Sequence, residues 1–397
     1  MKVLLVGQLP KEIGGNFTTG VANVVYELSR HPVDGMTYYT YGTNINDSMA
    51  KAHSSFEGQY MGYQIRPFHI LGSILRHPLR RIKEWKRYRD VYHDNPLRYE
   101  IYRDNFVRVI KQTKPDVVNV HGNNSIVALS SANNSFHLPL VQTFHGVSDF
   151  DDEEANKIRP QNLEEARLAD YVTVLTQSIK QFAQNVLGVQ EDKIQVIANG
   201  CDTTKFHFSD EDRVRLRREL GIKDSTTVFV TASSVIRRKG QLDFIKVIEH
   251  LDIDCQYWII GKGPDYDNCV AYCTEHHLGD KVKFLGYVSN AELYKYYSAA
   301  DVFVHASYRE AQALCEIEAY ACGMKIILNN EVKHTVATDT GDKNIYYIIN
   351  FKNNDLNSLT TWSEKKIQRT SRKEKDWRNV VAEYQFFFKR ITKEWNI

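Results

Sequence analysis

The sequence predicts an α/β fold of two Rossmann-like, doubly wound domains facing each other across a cleft. Two observations predict it. Short runs rich in Val and Ile alternate with amphipathic stretches of helical period, as buried parallel strands and their crossover helices do. The alternation gives way to a polar segment near residue 200 and then begins again.

In the first half, strands are read at 3–6, 117–120, 140–144, 171–175 and 194–197, with amphipathic helices at 21–30 and 97–111 among them. The segment 199–212 (NGCDTTKFHFSDED) is polar, carries the turn signal Asn199-Gly200 and precedes a helix at 213–220, so it reads as the linker between domains. The second series has strands at 228–231, 256–260, 282–285, 302–305 and 326–328, and helices at 241–250, 266–277, 291–298 and 314–322. The tail from Trp377 to Trp395 reads as one aromatic-rich helix. A ligand is expected in the cleft between the domains, at the carboxyl ends of strands.

A chain of 397 residues is long enough for two such domains, and 42% hydrophobic with 25% charged residues is ordinary for a globular protein. A net charge of +2 names no partner. Met1 and Lys2 lead straight into an apolar run with no cleavage site after it, and no apolar stretch is long enough to span a bilayer, so a cytoplasmic chain is expected. The six cysteines (Cys201, Cys255, Cys269, Cys273, Cys315 and Cys322) fall mostly inside expected strands and helices and read as reduced thiols. Cys269 and Cys273 share one expected helix face, but no second pair stands at metal-ligand spacing. Asp252 and Asp254 mimic a metal-binding Asp-x-Asp, yet they precede a strand and read as a cap or turn; no metal site is expected. Ser233 and Ser234 have no evident His and acid partners, so no hydrolase triad is expected.

Local charge is less even. From Arg76 to Arg89 (RHPLRRIKEWKRYR) there are seven Arg or Lys and one Glu, with Trp85 and Tyr88 interleaved. One reading is a solvated face. The favoured reading is peripheral contact with an anionic membrane surface, the cations at the headgroups and Trp85 and Tyr88 at the interface. Nucleic acid is not expected, because the basic run is single and no nucleic-acid-binding motif accompanies it.

Chemistry concentrates at 310–318 (EAQALCEIE), where Glu310 and Glu318 stand with seven residues between them at an expected strand–loop–helix junction. A helix N-terminus offers free amides and the positive end of its dipole, and so can hold a diphosphate. Ala311 and Ala313 are small enough to let phosphate approach the backbone. Glu310 precedes the helix and Glu318 lies one turn inside it. One carboxylate can then face a sugar while the other accepts hydrogen bonds from ribose hydroxyls.

This spacing, with Glu318 leading into 319–323 (AYACG), resembles the two-glutamate motif of the family-four retaining glycosyltransferases (glycosyl transferases group 1), which have the GT-B fold. Companion segments resemble the same family in the same order: Gly14-Gly15 after the first strand, 143–146 (TFHG), 197–206 (IANGCDTTKF), Arg238-Lys239-Gly240, 259–264 (IIGKGP), 282–288 (VKFLGYV) and 377–384 (WRNVVAEY). The last is similar to a final helix that crosses back to the N-terminal domain. The resemblance covers nearly the whole chain and is weakest over 40–95. It implies an acceptor-side domain 1–203, completed by 377–397, and a nucleotide-sugar-binding domain 204–376.

The resemblance also implies residue roles. Lys239 and the amides of Ala313 and Leu314 contact the donor diphosphate, Glu318 holds ribose and Glu310 contacts the transferred sugar. His145 sits near the donor sugar, Gly14 and Gly15 let the first loop approach the diphosphate or acceptor, and Tyr287 and Val288 flank the base. Gly261, Ser234 and Arg238 complete the donor-binding set. Three positions depart from the family pattern. Ser234 stands where the family carries Arg, with Arg237 or Arg238 as candidate replacements; Ala311-Gln312-Ala313 replaces Gly-Phe-Gly; and Ala198 replaces Pro. His121 is read as structural.

The implied activity is retaining, metal-independent transfer of a hexosyl unit from a nucleotide-diphosphate sugar, UDP-sugar first and GDP-sugar next. The implied acceptor is a glycan or a lipid-linked molecule in bacterial cell-surface polysaccharide synthesis. No cofactor is implied beyond the donor itself. His145 and Glu310 are the residues nearest the chemistry. Two alternatives stand beside this reading. One is a catalytically silent binding partner of another transferase, for which Ser234 speaks. The other is a nucleotide-sugar epimerase or hydrolase on the same scaffold, whose additional acid–base groups are not found. Donor turnover separates the active reading from the silent one.

Overall fold

Each apolar run read as a strand becomes one, and among the described residues three further strands join them. The computed structural model describes residues 1–15, 19–31, 33–54, 59–122, 126–146, 153–310, 312–330, 345–350, 356–364 and 369–395. The chain divides into two units, Met1–Asn199 with Trp377–Ile397, and Gly200–Asp376.

In the first unit, β1 (Lys2–Gly7), β2 (Thr37–Asn46), β3 (Gln59–Tyr63), β4 (Val117–His121), β5 (Leu140–Phe144), β6 (Tyr171–Val174) and β7 (Ile194–Val196) form a seven-stranded sheet. Its order is β3-β2-β1-β4-β5-β6-β7, and neighbouring strands run parallel. The helices along this part of the chain are α1 (Gly20–Arg30), α2 (Asp47–Ala52), α3 (Pro67–Arg76), α4 (Pro78–Tyr92), α5 (Pro96–Thr113), α6 (Ile126–Asn133), α7 (Glu153–Leu168) and α8 (Gln177–Asn185). Val3, Leu4, Leu5 and Val6 are all fully buried, as expected for a strand covered on both faces. Thr19 opens α1 by accepting the amide of Ala22 on its Oγ1 at 3.2 Å.

The second unit starts with α9 (Asp210–Glu219), capped by Ser209 and carrying three acids in its first turn and two arginines in its last, in accord with the helix dipole. Its sheet has the order β10-β9-β8-β11-β12-β13, again all parallel. The strands are β8 (Thr227–Ala232), β9 (Cys255–Ile260), β10 (Val282–Gly286), β11 (Val302–His305), β12 (Lys325–Asn329) and β13 (Tyr346–Ile349). Between and after them come α10 (Gln241–His250), α11 (Tyr266–Glu275), α12 (Leu293–Ala299), α13 (Leu314–Ala321) and α14 (Leu356–Glu364). The final helix, α15 (Trp377–Trp395), belongs to the first unit and buries Trp377, Val380, Val381, Tyr384, Phe387, Phe388 and Ile391. Strand order reverses between β1 and β4 in one sheet and between β8 and β11 in the other, which opens a crevice at the carboxyl ends of those strands.

The division between the units falls at Asn199–Gly200, at the start of the segment read as the linker, and within that segment Cys201 and Phe206 are buried in the second unit's core, Phe206 packing 6.2 Å from the ring of Tyr297. One sequence expectation needs correction: the basic run is not a uniform surface. It lies on α4, whose 3.6-residue period turns one face inward. Tyr88 is fully buried beside Tyr92 and Tyr99 and donates its hydroxyl to Asp94 at 3.0 Å. Trp85 is half-buried and donates Nε1–H to Glu100 at 2.7 Å. Neither ring is at an interface. Arg81 is only 1% exposed; its Nη1 donates to Glu84 at 2.5 Å and its Nε lies 3.7 Å from Glu100. Arg87 is ion-paired with Glu164. By contrast Asp254 takes the expected structural role, accepting the hydroxyl of Thr226 at 2.9 Å, and Cys269 and Cys273 are buried free thiols on α11.

Arg81 is therefore an internal counter-ion. Arg81→Met should cost about 3–5 kcal/mol of unfolding free energy, because Glu84 and Glu100 lose a buried partner. The exposed Lys83→Met should change it by less than about 0.5 kcal/mol. Urea unfolding of the two variants checks this, and equal midpoints would contradict it.

Candidate functional site

The residues expected to grip an anion lie on the loops after β8 and β11, the pair at which the second sheet reverses. The β8 loop makes a single 3-10 turn, Arg237–Lys239, and ends at Gly240, which opens α10. Gly240 has φ 68°, and a Cβ there would lie 2.3 Å from the carbonyl oxygen of Ala306, just beyond β11. Glycine thus lets the two loops touch backbone to backbone. The amide of Tyr308 donates to Arg238 O at 2.9 Å, and Ser307 Oγ lies 3.3 Å from the same oxygen.

Side chains from both loops converge on Glu310. Lys239 Nζ is ion-paired with its Oε1, and Ser307 Oγ donates to the same oxygen at 2.9 Å. Arg238 Nη1 lies 3.6 Å from that oxygen and His305 Nε2 3.7 Å. His305, the last residue of β11, sets its Nδ1 3.0 Å from Glu316 Oε2 in the first turn of α13. Burial alone would raise the Glu310 carboxyl, but His305 and Lys239 hold it far below the usual carboxylate range. Burial alone would lower His305, but Glu310 and Glu316 against its two nitrogens push it up to about 9, so it is an imidazolium at neutral pH.

Helix α13 starts immediately beyond. Ala313 is its N-cap, and among the described residues no side chain caps it; the first amides of a helix have no intrahelical acceptor. Glu318 is buried on the same helix, and its charge adds to burial in raising Tyr297 and Cys201. Leu314 is the first helical residue, while Ala311 lies outside the described residues. Of the other expected donor residues, Gly261 donates its amide to Gly286 O at 2.6 Å and so ties the end of β9 to that of β10. Tyr287 follows β10 and is exposed; Val288 packs on the core that contains Ile317. Ser234 is exposed, and its carbonyl accepts from Gln241 Nε2 at 3.1 Å. The guanidinium beside Glu310 is that of Arg238, which also donates to Arg309 O at 2.6 Å; Arg237 is exposed.

In the first unit, Gly14 and Gly15 form the turn after β1. Gly15 packs so tightly that a Cβ would lie 1.8 Å from Leu9 O. His145 follows β5, half-buried, with its Nε2 2.8 Å from His121 Nδ1. His121 ends β4 and is fully buried; its Nε2 lies 2.7 Å from Asn119 Oδ1, while Asn119 Nδ2 donates to Thr143 Oγ1 at 2.8 Å. These partners fix the protons. His121 Nε2–H donates to Asn119, so His121 Nδ1 accepts from His145 Nε2–H, and His145 Nδ1 is left as an acceptor. Burial pulls His145 down to about 4, so both rings are neutral at physiological pH. His121 is thus structural, as expected, but what it supports is His145 itself. Sequence reasoning missed His305, Ser307 and Glu316; a His closing an apolar strand and a Glu in a first helical turn were the available signals.

The two histidines bias stability in opposite directions. His305 titrates near 9 when folded against 6.5 ordinarily, so its contribution is fully present below 6.5 and is lost as pH rises through 9. His145 titrates near 4, so its contribution is present above 6.5 and is lost as pH falls through 4. His305→Gln should therefore flatten the fall in Tm between these alkaline limits while leaving the acid limb in place. A variant with the wild-type alkaline slope would show that His305 is not charged between its two carboxylates.

The Glycosyl transferases group 1 family model matches residues 212–343, and the Glycosyltransferase Family 4 model matches residues 58–205. Among curated proteins, the chain is 23% identical over 271 residues to the alpha-monoglucosyldiacylglycerol synthase of Acholeplasma laidlawii, covering 63% of this chain and 68% of that one. It is 33% identical over 147 residues to the alpha-galactosylglucosyldiacylglycerol synthase of Streptococcus pneumoniae, covering 36% of this chain and only 39% of that one. Among solved structures, Anabaena Alr3699/HepE in complex with UDP-glucose superposes with a TM-score of 0.70 at 17% identity, over 100% of this chain and 98% of that one. At that identity the likeness speaks for the fold, which is the same pair of Rossmann-like parallel sheets. With a glycosyltransferase model matched to each of two successive parts of a chain that has this architecture, the protein belongs to the group 1, family-four-like glycosyltransferases of GT-B fold.

Proposed function

We propose that the protein transfers a hexosyl unit from a nucleotide-diphosphate sugar, UDP-sugar before GDP-sugar, with retention of anomeric configuration. The proposed acceptor is a glycan or a lipid-linked molecule at the cytoplasmic side of a membrane, in cell-surface polysaccharide synthesis. One observation carries the proposal: Lys239, Arg238 and His305 meet at Glu310 beside the uncapped start of α13. Lys239, Arg238 and His305 bring positive charge to the start of α13, where the donor diphosphate would lie. An ammonium has three donors, so Lys239 can serve Glu310 and phosphate oxygens together. The family match supports the class of reaction, the UDP-glucose bound by HepE supports the donor, and the two glycolipid synthases support a lipid acceptor.

In this reading the acceptor hydroxyl oxygen attacks the anomeric carbon on the face from which the diphosphate departs. The new glycosidic bond forms as the bond from anomeric carbon to phosphate oxygen breaks, and the hydroxyl proton passes to the departing diphosphate. Lys239, Arg238 and the first α13 amides stabilise the charge that develops there, so no metal is required. Glu318 accepts the ribose hydroxyls and Glu310 orients the transferred sugar. His145, uncharged, lies near that sugar and offers its Nδ1 as an acceptor. Gly14 and Gly15 admit the diphosphate or acceptor to the first loop, and Tyr287 and Val288 flank the base.

Donor identity is testable by thermal shift with UDP-, GDP-, ADP- and dTDP-sugars, since a ligand of the native state at 100 times its Kd adds about 2.7 kcal/mol of stability. Glu318→Ala should weaken UDP binding by about 1.5–3 kcal/mol, the worth of hydrogen bonds to a charged acceptor. Calorimetric titration that found equal affinity would dispose of the ribose assignment. Glu310→Ala should lower turnover more than nucleotide affinity. Chelation with EDTA should leave transfer intact; complete loss restored by Mg²⁺ or Mn²⁺ would refute the metal-free reading.

A further inference from the structure

The outward faces of α3 and the start of α4 are apolar. Ile65, Phe68, Leu71, Leu75, Leu79 and Ile82 are all exposed, Phe68 by 86% and Leu79 by 83%. Phe68, Leu71 and Leu75 recur at the three- and four-residue spacing of one face of α3, and Leu79 and Ile82 at the same spacing on the first turns of α4, with the helical phase broken at His77 between them. The inward faces are different residues: Ile70 on α3, and Arg81, Tyr88 and Tyr92 on α4. The other exposed large apolar residues among those described are scattered along the chain, as on any globular surface. A concentrated stripe of this kind marks an interaction surface.

The charge around the stripe says what covers it. From residue 58 to residue 83 there is no Asp or Glu. Arg76, Lys83 and Lys86 are exposed and enter no ion pair among the described residues, and His69 and His77 are exposed as well. Arg80 is half-exposed and shares Glu84 with Arg81. A second copy of the chain is a poor occupant, because a two-fold interface would set these cations against their own equivalents. An anionic lipid surface suits both halves of the pattern, taking apolar side chains at the acyl boundary and cations at the phosphates.

We propose that α3 and the first turns of α4 form a lipid-insertion face. Phe68, Leu71, Leu75, Leu79 and Ile82 enter an anionic bilayer, and Arg76, Lys83 and Lys86 meet its headgroups. This is not the surface drawn by the basic run alone, since Arg81, Trp85 and Tyr88 face inward. The proposal does not rest on sugar transfer, because vesicle binding is read without donor or acceptor.

The test is co-sedimentation of the full chain with phosphatidylglycerol–phosphatidylcholine vesicles and with phosphatidylcholine vesicles, at low and high salt. Wild type should pellet with the anionic vesicles at low salt and far less with the neutral ones or at high salt. The triple variant Phe68→Ser, Leu75→Ser, Leu79→Ser should partition more than about tenfold more weakly, given the apolar area removed. Arg76→Glu, Lys83→Glu, Lys86→Glu should bind anionic vesicles no better than neutral ones. All six positions are exposed, so both variants should keep the wild-type Tm. Wild type that stays in the supernatant with anionic vesicles at low salt overturns the proposal, and so does an apolar variant that pellets like wild type. A wild-type dimer in sedimentation equilibrium that the apolar variant dissociates would also overturn it, assigning the face to a second copy.

Discussion

The Glu310 carboxylate is the joint on which the second unit's loops depend. A carboxylate taken out of water is costly unless it is paired and hydrogen-bonded. Here one oxygen meets Lys239 and Ser307, with Arg238 and His305 just beyond. Lys239 and Arg238 come from the loop after β8; His305 and Ser307 come from β11 and its loop. The pairing therefore fixes two loops that are far apart in sequence, and Gly240 lacks the Cβ that would press on Ala306 O. Glu316 extends the chain of charge into the first turn of α13, so the helix start is fixed relative to the same carboxylate. Position, charge state and loop geometry are one constraint here.

The first unit uses a neutral network for a comparable purpose. His145 rests on His121, His121 on Asn119, Asn119 on Thr143, and Thr143 on Thr173 at 2.6 Å, with the hydroxyl of Tyr384 3.5 Å further on. Each member is buried or half-buried and each has a partner, which is the condition for a buried polar network to specify one arrangement. Tyr384 lies on α15, so the last helix of the chain completes a network that begins at the end of β5. The tail thus packs into the first unit by a polar contact as well as by its buried apolar face, although by composition it looks like any amphipathic helix.

Much of this was legible. The Val- and Ile-rich strands announce themselves, because a parallel strand buried on both faces must be apolar throughout. Glu310, Lys239 and His145 were singled out through their neighbours rather than through their own chemistry. What escaped was written in other letters. Strand β2 (TYYTYGTNIN) has Tyr and Thr in place of Val and Ile, which is good strand composition but a weak hydrophobic signal. Strand β3 (QYMGY) is only five residues long, too short for a clear alternation. The partnership of His305 with Glu316 joins residues eleven apart on different elements, and only the fold brings them to 3.0 Å.

The basic run shows why charge counted along a sequence differs from charge on a surface. Residues 81, 88 and 92 recur at helical spacing, so α4 carries an inward face containing an arginine and two tyrosines. A count along the sequence cannot separate an arginine that ends inside from one that ends outside. The apolar stripe was hidden by the same geometry in reverse: Phe68, Leu71 and Leu75 look like core residues of a short helix, yet the residue that α3 buries fully is Ile70. Hydrophobic periodicity identifies a face without saying which side of the helix meets the protein. Packing decides that. On α3 and α4 it turns part of the charge inward and leaves the apolar stripe outside, which is the reverse of the usual arrangement for a surface helix.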